Sequence, residues 1–273
     1  MMKPRRLLLA IIVVAMTPLV ARSQIRLPNR ASLFDDSIET DRDSFTPATT
    51  TVGRNHTQME TATSFIDNRK APNAYTFPEL IVRRGVNDWV ELRMGWNYAA
   101  GGPTSAVSGI DLGTEDFIAE KASESMYGMK LQTSRQRGWR PTSAFIFEGY
   151  TPTSGPSNFS RIVASETFGW VLPNGWHWSN AVRFSTDDSS GDHFNQWAPS
   201  SVLNVPLGER WNAHVEYFGI MSHGKAAAES QHYFSAGAHF DLTKDLELGI
   251  RIGFGLNAQT PPFFSNAGIG FRF

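Results

Sequence analysis

Charged side chains set among apolar ones are the first feature of this 273-residue sequence with the means to do chemistry. Glu79, Arg83, Glu91, Arg93, Lys130, Arg183, His214, Glu216, His239, Glu247, Arg251 and Arg272 are nearly all flanked on both sides by apolar residues. Side chains alternate across a strand, so this pattern gathers acids, bases and histidines on the face turned away from the apolar residues. Two uses follow from mixed signs on one enclosed face. The charges can pair across strands and so offset the cost of their burial. They can also form a constriction that selects solutes by charge.

Two smaller constellations stand beside this set. His177-Trp178-Ser179 puts a base and a hydroxyl nucleophile on one strand face, the pairing a hydrolase embedded in a barrel would use. A third residue to orient the base is not identifiable, so no catalytic residue is assigned. Asp187-Asp188-Ser189-Ser190-Gly191-Asp192-His193 gathers carboxylates, but its spacing misses the calcium-loop pattern. It reads as a solvated external loop. There is no phosphate-binding glycine loop, no zinc-ligand spacing and no cysteine, so neither cofactor nor metal is expected.

The elements that must position these residues are strands. Leu246, Leu248, Ile250, Ile252, Phe254 and Leu256 alternate with Glu247, Gly249, Arg251, Gly253 and Gly255. Val90–Trp96, Trp211–Tyr217 and Ala267–Phe273 repeat the pattern, while no helical apolar stripe is sustained after the first segment. Strands are predicted near 56–66, 75–84, 89–97, 124–133, 141–150, 160–171, 176–185, 193–204, 211–220, 230–241, 246–256 and 263–273. Twelve strands of this length suit a bilayer crossed at a tilt, where about 9–11 residues are needed. The connections alternate between tight turns and longer loops, Thr186–Asp192 being one of the longer set. That alternation fits an up-and-down transmembrane β-barrel, all-β and antiparallel. A soluble β-sandwich is the competing fold, but its second face would meet water and carry Lys, Thr and Ser rather than repeated Gly. Trp96, Trp176, Trp211 and Tyr217 near strand ends fit an aromatic girdle.

The ends of the chain fill out the domain plan. Lys3, Arg5 and Arg6 precede the apolar run Leu7–Val20, with small residues at Ala21 and Ser23. Residues 1–23 are therefore expected to be a cleaved secretory signal. They hold four of the 25 basic residues and none of the 26 acids, which takes the net charge from −1 to −5. With no basic cluster, nucleic acid is excluded as a partner. Residues 24–54 are a polar segment, either periplasmic or inserted into the lumen, and 55–273 form the barrel. An aromatic rate of 12% beside a mean hydropathy of −0.29 fits apolar outward and polar inward faces. The final strand, with Phe271 and Phe273, fits recognition by the machinery that assembles outer-membrane barrels.

Glu39-Thr40-Asp41-Arg42 with Phe45-Thr46, then Pro78–Gly85, Val90-Glu91-Leu92-Arg93, Gly95-Trp96-Asn97, Val215–Gly219 and Gly270–Phe273 carry a resemblance. They are similar to an outer-membrane transporter family of the phenol-degradation meta-pathway type. Asp43 and Ser44 depart from its opening motif, which usually has Pro and Asp there. The resemblance implies a β-barrel that passes small organic, including aromatic, solutes. The expected function is thus passive passage of small solutes through a barrel bathed in outer-membrane lipid, without enzymatic activity. The alternatives are a structural or adhesive barrel and, behind it, a lipid hydrolase.

Overall fold

The alternation of Leu246–Gly255 becomes, in the computed structural model, one stave of a closed barrel. Residues 37–68, 71–102, 121–155, 157–189, 192–224 and 230–273 are described. They belong to the unit Ser32–Phe273, and the expected export signal over 1–23 lies outside the described residues. The strands are β1 (Thr57–Asp67), β2 (Ala74–Gly85), β3 (Val90–Gly101), β4 (Lys121–Ser134), β5 (Thr142–Ser154) and β6 (Arg161–Val171). They continue with β7 (His177–Ser189), β8 (Asp192–Pro206), β9 (Trp211–His223), β10 (Ser230–Thr243), β11 (Leu246–Gly255) and β12 (Phe263–Arg272). Each pairs antiparallel with its sequence neighbours, and β1 pairs with β12 to close the ring. Thr57 and Phe273 exchange both backbone hydrogen bonds at that seam, 2.8 and 2.9 Å. Closure leaves no edge strand, which is what a sheet in hydrocarbon requires.

The strands begin and end close to the predicted places, with one correction. The stretch 186–192 is not a long loop: β7 and β8 run to a tight hairpin in which Ser189 pairs with Asp192. Cross-strand partners extend the pairing there, and the Asp188 carboxylate lies 3.0 Å from the His193 ring. The carboxylates of 187–188 therefore sit on a strand instead of gathering round a cation.

Outside and inside are chemically inverted relative to a soluble protein. Leu248, Ile250, Ile252, Phe254, Trp96, Trp176, Trp211 and Tyr217 are exposed, while the interior holds Arg83, Arg93, Lys130, Arg251 and their acids. A charge placed on a lipid-facing strand position costs about 2–4 kcal/mol near mid-bilayer. Ile252→Arg should lower folding stability in phospholipid vesicles by about that amount. Were this face solvated, unfolding curves of the variant and the parent chain would coincide.

Candidate functional site

The lumen is filled by the polar N-terminal segment. It enters where Ile38 N–H donates to Lys244 C=O (2.9 Å) at the β10–β11 turn. It leaves where Val52 N–H donates to the Glu91 carboxylate (2.9 Å) and Thr51 Oγ1 to Asp88 C=O (3.2 Å) at the β2–β3 turn. Both points are at the end of the barrel where β1 begins and β12 ends. Residues 37–53 thus form an inserted loop, with Thr40, Asp41, Arg42, Phe45, Thr46 and Ala48 buried between the two ends.

Asp41 is the ionic centre of this plug. Its carboxylate lies 2.5 Å from Arg93, 3.1 Å from Lys130 and 3.6 Å from Arg83. Those three cations stand on β3, β4 and β2, brought to one height because the registers pair Arg83 with Arg93 and Glu91 with Lys130. Glu91 bridges Arg83 (2.8 Å) and Arg93 (2.9 Å), Glu60 pairs with Arg83 (2.9 Å), and Glu148 with Arg93 (2.7 Å). Lys130 also donates to the carbonyls of Ala48 and Thr50, both 3.1 Å. Glu60 in turn accepts from the backbone N–H of Asp41 (2.8 Å) and Arg42 (3.2 Å). Such a network is worth keeping only while every member is satisfied, since removing one partner strands charges in a dry interior.

The tip of the plug is held differently. Glu216 accepts from the N–H of Phe45 (3.0 Å), the N–H of Thr46 (2.8 Å) and Thr46 Oγ1 (2.8 Å). It also pairs with Arg251, 2.9 Å away. The Phe45 ring stacks on Phe218 at 4.3 Å and 7°, and Phe218 stacks on Tyr233 at 4.6 Å. Arg183 caps the other side of Phe45, 4.4 Å from its centroid, and donates to its carbonyl at 3.0 Å. With Ile66, Ile220 and Phe264 these rings form a buried apolar patch on the wall, toward the long connections.

The remaining predicted residues fall in three places. Thr40 Oγ1 donates to Glu247 (2.9 Å), and His239 lies 2.5 Å from Asp43 and 2.6 Å from His214. Glu79 accepts from Ser64, Thr76 and Asn266 on the lumen wall away from the plug. Arg272 reaches the barrel rim, where it pairs with Asp245 of the β10–β11 turn at 2.8 Å. His177 and Ser179 line a cavity of about 560 Å³ at the termini end, shared with Asp43, His239 and Glu247. Among the described residues they do not hydrogen-bond to each other.

The inward glycines explain how the plug fits. A Cβ on Gly268 would stand 2.3 Å from Arg42 Nη1 and 2.4 Å from Thr61 C=O, and one on Gly270 would stand 2.6 Å from Thr40 Cγ2. Gly268→Val should therefore expel Arg42, at a cost of about 1–3 kcal/mol for overpacking. In the folded barrel, trypsin would then cut after Arg42. Continued protection of that bond in the variant would contradict the placement.

The sequence offers insertion of residues 24–54 into the lumen as one of two placements and names Asp41, Asp43 and Phe45 only through the family resemblance. It assigns no lumen role to them or to Glu60 and Glu148, all of which take part. Glu60 and Glu148 alternate with outward residues like the others. Asp41 and Phe45 lie on a segment with no period to read.

The family whose model matches residues 40–273 is described as "Putative MetA-pathway of phenol degradation". The chain belongs to this family. The family match begins at Thr40, so it takes in the plug residues Asp41 and Phe45 as well as all twelve strands. No curated protein matches the chain. Among solved structures, an outer-membrane channel from Pseudomonas putida F1 is 11% identical, with TM-score 0.56, covering 82% of this chain and 97% of that one. The NanC porin is 10% identical, with TM-score 0.53, covering 79% of this chain and 98% of its own. At such identities the likeness establishes the fold alone, a closed antiparallel β-barrel of the kind these outer-membrane proteins have.

Proposed function

We propose that this protein is a passive outer-membrane channel for small organic solutes, closed at rest by residues 37–53. One observation carries the reading: the plug enters and leaves by the same end of the barrel, so it can withdraw without threading the lumen. Withdrawal would uncover the patch of Phe218, Tyr233 and Phe264, with Arg183 beside it, where the Phe45 ring now stacks. An aromatic solute presents the same flat face as Phe45 and fits the same slot. The channel from Pseudomonas putida F1 and the NanC porin, which share the fold, support a channel role, and the family's description in terms of phenol degradation supports an aromatic solute. Export through a signal ending at Ser23, and recognition of the last strand by the assembly machinery, belong to the same proposal. Phe271 and Phe273, stacked 5.5 Å apart, would supply the aromatic terminus that such recognition needs.

The test is flux into liposomes carrying the chain from Gln24 onward. Benzoate-sized aromatics should enter faster than a disaccharide once the plug is released, and Phe218→Ser should erase that preference. A structural barrel would admit neither solute even with the plug deleted.

A further inference from the structure

The plug meets the wall at one cluster whose side chains are all of metal-ligating type. Asp43 of the plug, His239 of β10 and Glu247 of β11 bring three ligand atoms within 4.8 Å of one another. His239 Nδ1 is 2.5 Å from Asp43 Oδ2 and 3.7 Å from Glu247 Oε1. The ring is 4% exposed, and this nitrogen faces both carboxylates. Its other nitrogen, Nε2, lies 2.6 Å from His214 Nδ1. That contact orients the imidazole so that Nδ1 faces the carboxylates, as partners behind metal-bound histidines do.

Space points the same way. The cavity of about 560 Å³ lined by Asp43, His239 and Glu247 leaves room for waters to complete a coordination shell. One nitrogen and two carboxylates suit a borderline first-row ion better than Ca²⁺ or Mg²⁺, which prefer oxygen. Ligand atoms about 2.0–2.2 Å from one ion stand roughly 3–4 Å apart, so the widest pair here closes with about 1 Å of side-chain movement.

We propose that Asp43, His239 and Glu247 bind one divalent transition-metal ion of the Zn²⁺ class, pinning the plug to β10 and β11. The site does not depend on what the barrel transports. It is tested on the refolded, EDTA-stripped chain from Gln24 by calorimetric titration with Zn²⁺ in excess Mg²⁺, and by trypsin cleavage after Arg42. The expected result is one Zn²⁺ per chain, slower cleavage with Zn²⁺, and affinity at least tenfold weaker in Asp43→Asn and in Glu247→Gln. Folding of each variant is checked by its heat-shifted gel mobility. Should both variants misfold, Co²⁺ bound to the parent chain decides, with the intense visible bands of low-coordinate Co²⁺ expected. The hexaaqua spectrum, no Zn²⁺ uptake, or equal affinity in parent and variants would overturn the proposal. Flux measurements are not needed for any of these readouts, so failure of the channel reading is seen separately.

Discussion

Asp41→Ala should convert a closed barrel into a conducting one. The substitution takes the shared anion from Arg83, Arg93 and Lys130, side chains that are at most 2% exposed. Breaking a buried pair by removing one partner costs about 3–5 kcal/mol, because the survivor is left charged and dry. That penalty falls on the docked state alone. With the plug withdrawn, water fills the lumen and rehydrates all three cations. Since about 1.4 kcal/mol is tenfold in an equilibrium, the undocked population should rise by a factor of a hundred or more. Planar-bilayer recordings would show it as long open intervals absent from the parent chain, with the barrel still folded. Unchanged recordings would mean that Asp41 does not hold the plug.

The second large effect is expected at Glu216, on the opposite wall. Its two oxygens satisfy the N–H groups of Phe45 and Thr46, the Thr46 and Ser235 hydroxyls, and Arg251. Glu216→Ala leaves two buried amides without acceptors, at about 1–3 kcal/mol each, and Arg251 without its anion. These costs are not additive, because undocking relieves all of them together. The expected phenotype is again an open channel, now with Phe45 released from Phe218. Glu216→Gln keeps one acceptor oxygen and should fall between parent and Ala. If the Gln and Ala variants conduct alike while Asp41→Ala stays shut, the tip contact would replace the ionic centre as the latch.

The difference between what could and could not be read beforehand lies in the kind of order each part has. Strand β11 announces itself because Leu246 through Leu256 alternate strictly, and a closed sheet must obey that period around the whole ring. The inward set followed from the same period, and eleven of its twelve members are buried in the lumen, with Arg272 at the rim. Glu148 does not stand out in the sequence, because Ile146 and Tyr150 beside it on the inward face are as apolar as Phe145 and Phe147 on the outward one. Glu60 was missed because Thr61 and Thr63 make the outward face of β1 partly polar. The hairpin over 186–192 reads as a loop for a related reason: Asp, Ser and Thr on both faces hide a period that cross-strand pairing enforces.

The plug is another matter. Residues 37–53 form no helix or strand, so their side chains point wherever the wall supplies a partner. Asp41 finds its cations 42 to 89 positions along the chain, on three different strands. No local pattern encodes that meeting. Only the registers of β2, β3 and β4 bring Arg83, Arg93 and Lys130 to one height. The mixed charges were legible as a set that must be paired, yet the partner that completes the pairing came from outside the strands.

The most direct measurement of the central claim is single-channel conductance of the chain from Gln24, compared with the same chain lacking residues 37–53. The parent should be silent or show only rare brief openings, and the deletion should give stable discrete steps. Equal conductance in the two, or a deletion that inserts as a folded barrel and stays silent, would contradict the plug as the gate.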